Sequence, residues 1–148
     1  MKKLTVLSVN ISEKKGTIKK SVNEIFVEKT GIRNDAHASN EGIRQVSLLG
    51  TESIYKFVSD TGKKIEFGEF AENITTEGIL LYELNVGDKL QNENVILEVS
   101  QIGKECHGTT CNIFKQVGKC IMPTEGIFCI VLKEGILKPN DSLFLVQK

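Results

Sequence analysis

Apolar and polar positions alternate along this chain in short runs, and most of those runs have the period of a strand. Within Met1–Asn10 the apolar positions are broken by Thr5, Ser8 and Asn10, a pattern that reads as a first strand. Val22–Val27 is short and β-branched, and Arg44–Leu49 alternates before turning fully apolar. Gln91-Asn92-Glu93-Asn94 has turn chemistry and precedes Val95–Val99, which predicts a hairpin. Gly126–Leu132 is a continuous apolar run suited to a strand buried on both faces. A turn at Lys138–Asp141 then leads into a last strand, Leu143–Val146. One helix is predicted after Thr51, which can cap it. Ile54, Phe57 and Val58 fall at helical spacing, and Gly62 lies just past the end. A second short helix over Asn112–Val117 would put Ile113, Phe114 and Val117 on one side. Many short strands with one or two short helices predict a mainly β fold, a closed or nearly closed β-barrel, because closure removes exposed edges. A doubly wound α/β sheet would need several more helices.

Composition narrows the picture without redirecting it. The 148 residues are expected to form a single domain, 1–148, with 40% apolar and 26% charged residues, ordinary for a globular protein. Lys plus Arg and Asp plus Glu balance at 19 each, so no electrostatic footprint for nucleic acid or an anionic membrane is expected. Lys2 and Lys3 precede an apolar stretch, but polar residues break it and no small-residue cleavage site follows. No run approaches the roughly 20 apolar residues of a membrane span. The expectation is a cytoplasmic protein with no membrane partner.

The chemistry-bearing residues are few. The four cysteines, Cys106, Cys111, Cys120 and Cys129, all lie in the last third, which fits a cytosolic thiol or metal site better than a disulfide scaffold. Cys106 follows the strand Ile96–Ile102 and stands between Lys104 and His107, whose positive charge would favour the nucleophilic, metal-binding thiolate. Glu105 acts the other way, and on local features Cys106 reads equally well as a free, partly buried thiol. Cys106, His107, Cys111 and Cys120 could together hold tetrahedral zinc, although the C-x-x-C knuckle is absent. Cys111 or Cys120 could instead form a reversible disulfide with Cys106. Cys129, inside an apolar run, reads as core. His37 lies in a loop-like segment with Asp35, and Phe67–Gly78 packs Glu72, Asn73 and Thr75 into a short span. On local features that span reads as a solvated strand and turn, or as a set of donors and acceptors for a polar heterocycle or phosphate. Phosphate-loop and dinucleotide glycine motifs are absent.

Four segments, taken in order, resemble the MOSC family, the molybdenum cofactor sulfurase C-terminal domain. Asn34-Asp35-Ala36-His37 followed by Arg44–Leu49 is similar to the family's Gly-Asp-x-His segment and the strand after it. Phe70–Gly78 resembles its Phe-Gly-Glu-Asn-Leu-Thr-x-x-Gly segment, and Leu84–Leu90 its Leu-x-Val-Gly-Asp-x-Leu turn. Cys106 stands at the place of the signature cysteine. The likeness spans about residues 4–147, and departs from the family where Asn34 and Ala71 replace glycines and Glu105 replaces a frequent proline. It implies a barrel-like fold that binds a molybdopterin-type molybdenum cofactor, with Cys106 as the catalytic residue and metal ligand or as sulfur carrier. Asp35, His37, Arg44, Asn73 and Thr75 are implied to contact the cofactor. The implied partners are a molybdoenzyme, a sulfur donor or an electron-donor protein. Pyridoxal phosphate is not expected in so short a chain. A molybdenum-dependent reductase of N-hydroxylated compounds is the alternative activity. With no flavin or iron–sulfur motif, its electrons would have to come from a partner.

Overall fold

The computed structural model describes residues 2–14, 17–36, 42–103, 121 and 125–148. The first strand, β1 (Lys3–Ile11), turns Leu4 and Val6 into the core. Between Val6 and Ser8 its register against a later strand slips by one residue. Such a bulge reverses the alternation that follows it. Val9 is therefore the next core residue, and Ser8 and Asn10 take the opposite face.

The expected strand over Val22–Val27 is two strands in different sheets. β2 (Lys20–Val22) pairs with β1, and β3 (Ile25–Glu28) pairs with β4 (Gly31–Ile32) and with a late strand. The polar pair Asn23–Glu24 separates them. β5 (Val46–Gly50) is buried throughout and runs into α1 (Thr51–Thr61). Gly50, not Thr51, occupies the N-cap position, and no side chain caps the helix. The Thr51 hydroxyl donates instead to the Thr76 carbonyl at 3.1 Å, which ties α1 to the sheet. Gly62 ends the helix as expected, with φ 70° and its N–H on the Val58 carbonyl. The chain returns as β6 (Ile74–Glu77), parallel to β5, so α1 is the crossover that a parallel pair requires.

A short 3₁₀ turn (Leu81–Glu83) leads to β7 (Lys89–Gln91) and β8 (Ile96–Ile102). Asn92 closes the hairpin between them by accepting the N–H groups of Asn94 and Val95. β9 (Ile127–Lys133), β10 (Gly135–Leu137) and β11 (Ser142–Val146) complete the chain. The strand order is β11-β7-β8-β9-β5-β6-β1, and β11 also pairs with β1, which closes a barrel of seven strands. β2 extends it from β1, and β10-β3-β4 form a small second sheet. The fold is mainly β with one helix among the described residues, as the patterning predicts. The second expected helix, Asn112–Val117, lies outside those residues.

The barrel interior holds Leu4, Val6, Leu48, Ile74, Leu97 and Cys129, among others. Burial, and secondarily Glu98, pushes the Cys129 thiol far up, so it stays neutral as a core residue. A second cluster packs α1 on the sheet through Leu49, Ile54, Phe57, Phe70 and Phe128. Phe57 and Phe70 meet edge to face at 5.1 Å. β9 is buried on both faces only in its first half, because Ile127 and Cys129 face the barrel and Phe128 faces this cluster, whereas Leu132 is exposed.

Candidate functional site

Strand direction brings distant segments to one rim of the barrel. β1 ends there and the parallel pair β5 and β6 begins there, while the antiparallel strands β9 and β8 pass the same level at Phe128 and Gln101. Asn10 N–H donates to the Asn73 carbonyl, and Asn73 N–H donates to the Ser47 carbonyl. Ser47 is in register with Phe128, and Phe128 with Gln101. Arg44 leads into β5 here, Phe67–Asn73 leads into β6, and Gly103, just past β8, is three residues before Cys106 in sequence. Cys106, His107, Cys111, Cys120 and His37 themselves lie outside the described residues.

Arg44 is exposed at the rim. Its Nε–H donates to Gln101 Oε1 at 2.9 Å, and its guanidinium sits 5.6 Å from the Phe128 ring centroid. This ties the first motif to the end of β8 and presents a permanent cation there. Asp35 is buried against Lys19. The Lys19 ammonium lies 2.8 Å from Asp35 Oδ1 with both side chains at 0% exposure, and the Ser12 N–H donates to the same oxygen at 3.0 Å.

Asn73 and Thr75 are fully buried and committed to partners. Asn73 Oδ1 accepts the Ser47 N–H at 3.0 Å, and its Nδ2 donates to the Asn10 carbonyl at 3.1 Å. The Thr75 hydroxyl donates to Glu72 Oε2 at 2.9 Å and accepts from Asn10 Nδ2 at 3.1 Å. The segment Phe70–Thr76 is therefore not the solvated strand and turn that its polarity suggested, since every residue in it is buried. Asn34 and Ala71, where the resemblance led one to expect glycine, have φ of 68° and 67°. That left-handed conformation is the one glycine adopts without penalty, so the backbone shape is kept although the glycines are not.

Sequence reasoning assigned no role to several residues of this network. Lys19 stands beside Lys20 in sequence, and nothing local signals its burial. Glu72 was visible only as one more polar group. Its Oε2 accepts the Gly68 N–H at 3.0 Å and the Thr75 hydroxyl, while Oε1 is buried and has no hydrogen-bond partner of normal geometry among the described residues. Burial pushes this carboxyl up to about 7, against the backbone N–H groups of Gly68, Glu72 and Phe70 and the Thr75 hydroxyl, which favour the charged form.

The barrel thus gathers an exposed arginine, a buried ion pair and a polar network at one rim. Residues 33–144 match the family model described as MOSC domain, so the chain belongs to the MOSC family. Its fold is similar to that of YuaD from Bacillus subtilis, with a TM-score of 0.80 and 15% identity over 99% of this chain and 97% of that one. It is also similar to YiiM from Geobacillus stearothermophilus, with a TM-score of 0.75 and 21% identity over 97% of this chain and 75% of that one. YiiM from Escherichia coli gives a TM-score of 0.70 and 17% identity over 100% and 71%. Comparison with curated proteins finds no match. Among the described residues, no helix is long and apolar enough to cross a membrane, and no group of three His, Cys, Asp or Glu side chains could hold a metal ion.

Proposed function

We propose that this protein binds a molybdopterin-type molybdenum cofactor, or carries its terminal sulfur, through Cys106. The observation that carries this reading is the convergence of three family segments on one rim, where Arg44 bridges to the strand that leads to Cys106. The donor set suits such a group. The terminal nitrogens of Arg44 make no hydrogen bond among the described residues and could meet a phosphate. A cysteine thiolate is a soft ligand fit for a thiophilic metal. When bound, the cofactor would supply the metal centre and its sulfur chemistry. Arg44 and His37 would contact it, while Asp35, Asn73 and Thr75 hold the backbone beneath it through their buried hydrogen bonds. Sulfur or electrons would come from a partner protein, either a sulfur donor with a molybdoenzyme as recipient or an electron donor for reduction of N-hydroxylated compounds.

The test is metal analysis and pterin extraction on wild type and Cys106→Ser from a molybdenum-competent host. Molybdenum and pterin in the wild type, with loss of both in Cys106→Ser, support the reading. Equal cofactor content in both proteins refutes it, as does stoichiometric zinc that disappears in Cys111→Ser.

A further inference from the structure

We propose that Glu72 is a positioning residue of this site, holding the Phe67–Ala71 turn against Lys19 and so fixing Asp35 at the head of the segment that carries His37. The proposal rests on reading the rim as the cofactor site.

The argument is one of connectivity. Glu72 is fully buried, and its Oε2 holds the Gly68 N–H and the Thr75 hydroxyl together. The Gly68 carbonyl accepts the Lys19 N–H at 2.7 Å. Gly68 has φ 93°, and a Cβ there would lie 2.4 Å from the Lys19 carbonyl oxygen, so the two backbones are in direct contact. The Lys19 ammonium then reaches Asp35 Oδ1 and, at 3.3 Å, the Ser12 hydroxyl. Ser12 donates its N–H to Asp35, and its carbonyl accepts the Ala36 N–H at 2.8 Å. Hydrogen bonds and one ion pair thus run without a gap from Glu72 to Ala36, and the next residue is His37. In the other direction, Thr75 passes to Asn10, and Asn10 to Asn73.

Glu72 is therefore where the polar residues of the second motif join the buried base of the first. Packing alone would not call for a carboxyl here, because burying one with an oxygen unpartnered is unfavourable. Local rules broken in this way tend to mark functional positions.

The experiment compares wild type with Glu72→Gln, Glu72→Ala and Glu72→Asp. Gln keeps a carbonyl oxygen able to accept from Gly68 and Thr75. Ala removes it, and Asp draws it back by one methylene. The first readout needs no cofactor and is amide hydrogen exchange at Ser12, Lys19 and Ala36, with β7 and β8 amides as the internal reference. Ala and Asp should speed exchange at those three positions by about tenfold or more relative to the reference, and Gln by less than about threefold. The second readout is affinity for molybdopterin cofactor extracted from a molybdoenzyme, which should fall about tenfold in Ala and Asp and be rescued in Gln. If Ala fails to fold, Asp and Gln still make the comparison. Unchanged relative exchange in Asp would overturn the proposal, as would exchange or affinity in Gln as poor as in Asp. Wild type that takes up no cofactor would overturn the reading of the rim instead, and the exchange result would still decide whether Glu72 holds Asp35.

Discussion

Replacing Glu72 with Gln should change how stability depends on pH, in a direction set by burial. An ordinary glutamate has a carboxyl near 4.5, and here the folded protein raises it to about 7. Between those values the folded state keeps a proton that the unfolded state has released. The free energy of unfolding must therefore fall as pH rises through that window. At about 1.4 kcal/mol per tenfold change in proton affinity, this one group should cost wild type about 2.5 kcal/mol between roughly pH 5 and pH 8. Gln cannot titrate and should lack that component. Its NH₂ replaces the unpartnered Oε1, which adds a penalty of about 1–3 kcal/mol, but that penalty is the same at every pH. The informative quantity is thus the difference between the two proteins at each pH. Urea unfolding of both at intervals of pH should show wild type losing stability relative to Glu72→Gln as pH rises, most steeply between about pH 5 and pH 7 and levelling off above that. Parallel stability curves would refute the reasoning, because they would mean that the Glu72 carboxyl ionises in the folded state as it does in water.

Other consequences follow from the same network. Asp35→Asn removes the carboxylate charge 2.8 Å from the buried Lys19 ammonium and should cost about 3–5 kcal/mol by denaturant unfolding, since breaking a buried pair is far worse than lacking one. A loss under about 1 kcal/mol would show that the pair is solvated. Gly68→Ala must relieve both a positive φ and an approach of 2.4 Å to the Lys19 carbonyl, and should cost about 3 kcal/mol or more with loss of amide protection at Lys19. Arg44→Ala, at an exposed position, should alter stability by less than about 1 kcal/mol but weaken cofactor binding about tenfold. Binding equal to wild type would remove Arg44 from the site.

The pattern of apolar and polar positions was enough to read the barrel, its helix and the β7–β8 hairpin, because strand period and turn chemistry are local properties. Gly62 as a helix stop and Asn92 as the hairpin turn were legible for the same reason. The ordered motifs also carry the likeness to the MOSC family, to which the chain belongs. Other features depended on residues far apart in sequence. That Asn23–Glu24 splits one apparent strand between two sheets, and that Gly50 rather than Thr51 caps α1, follows from which partners the neighbouring segments find. The burial of Phe70–Thr76 follows from packing of Phe70 and Ala71 against α1, of Ile74 in the barrel, and from the partners its polar groups find in β1 and β5. Lys19 shows the limit most clearly, since a lysine can be buried only where a counter-charge is supplied, and Asp35 supplies it through the fold. Sequence alone therefore determined the fold class and the family to which the chain belongs. Tertiary structure alone decided that Arg44 sits exposed at the rim while Asn73, Thr75 and Glu72 lie locked beneath it, because burial and hydrogen-bond partnership belong to the packed chain and not to any segment of it.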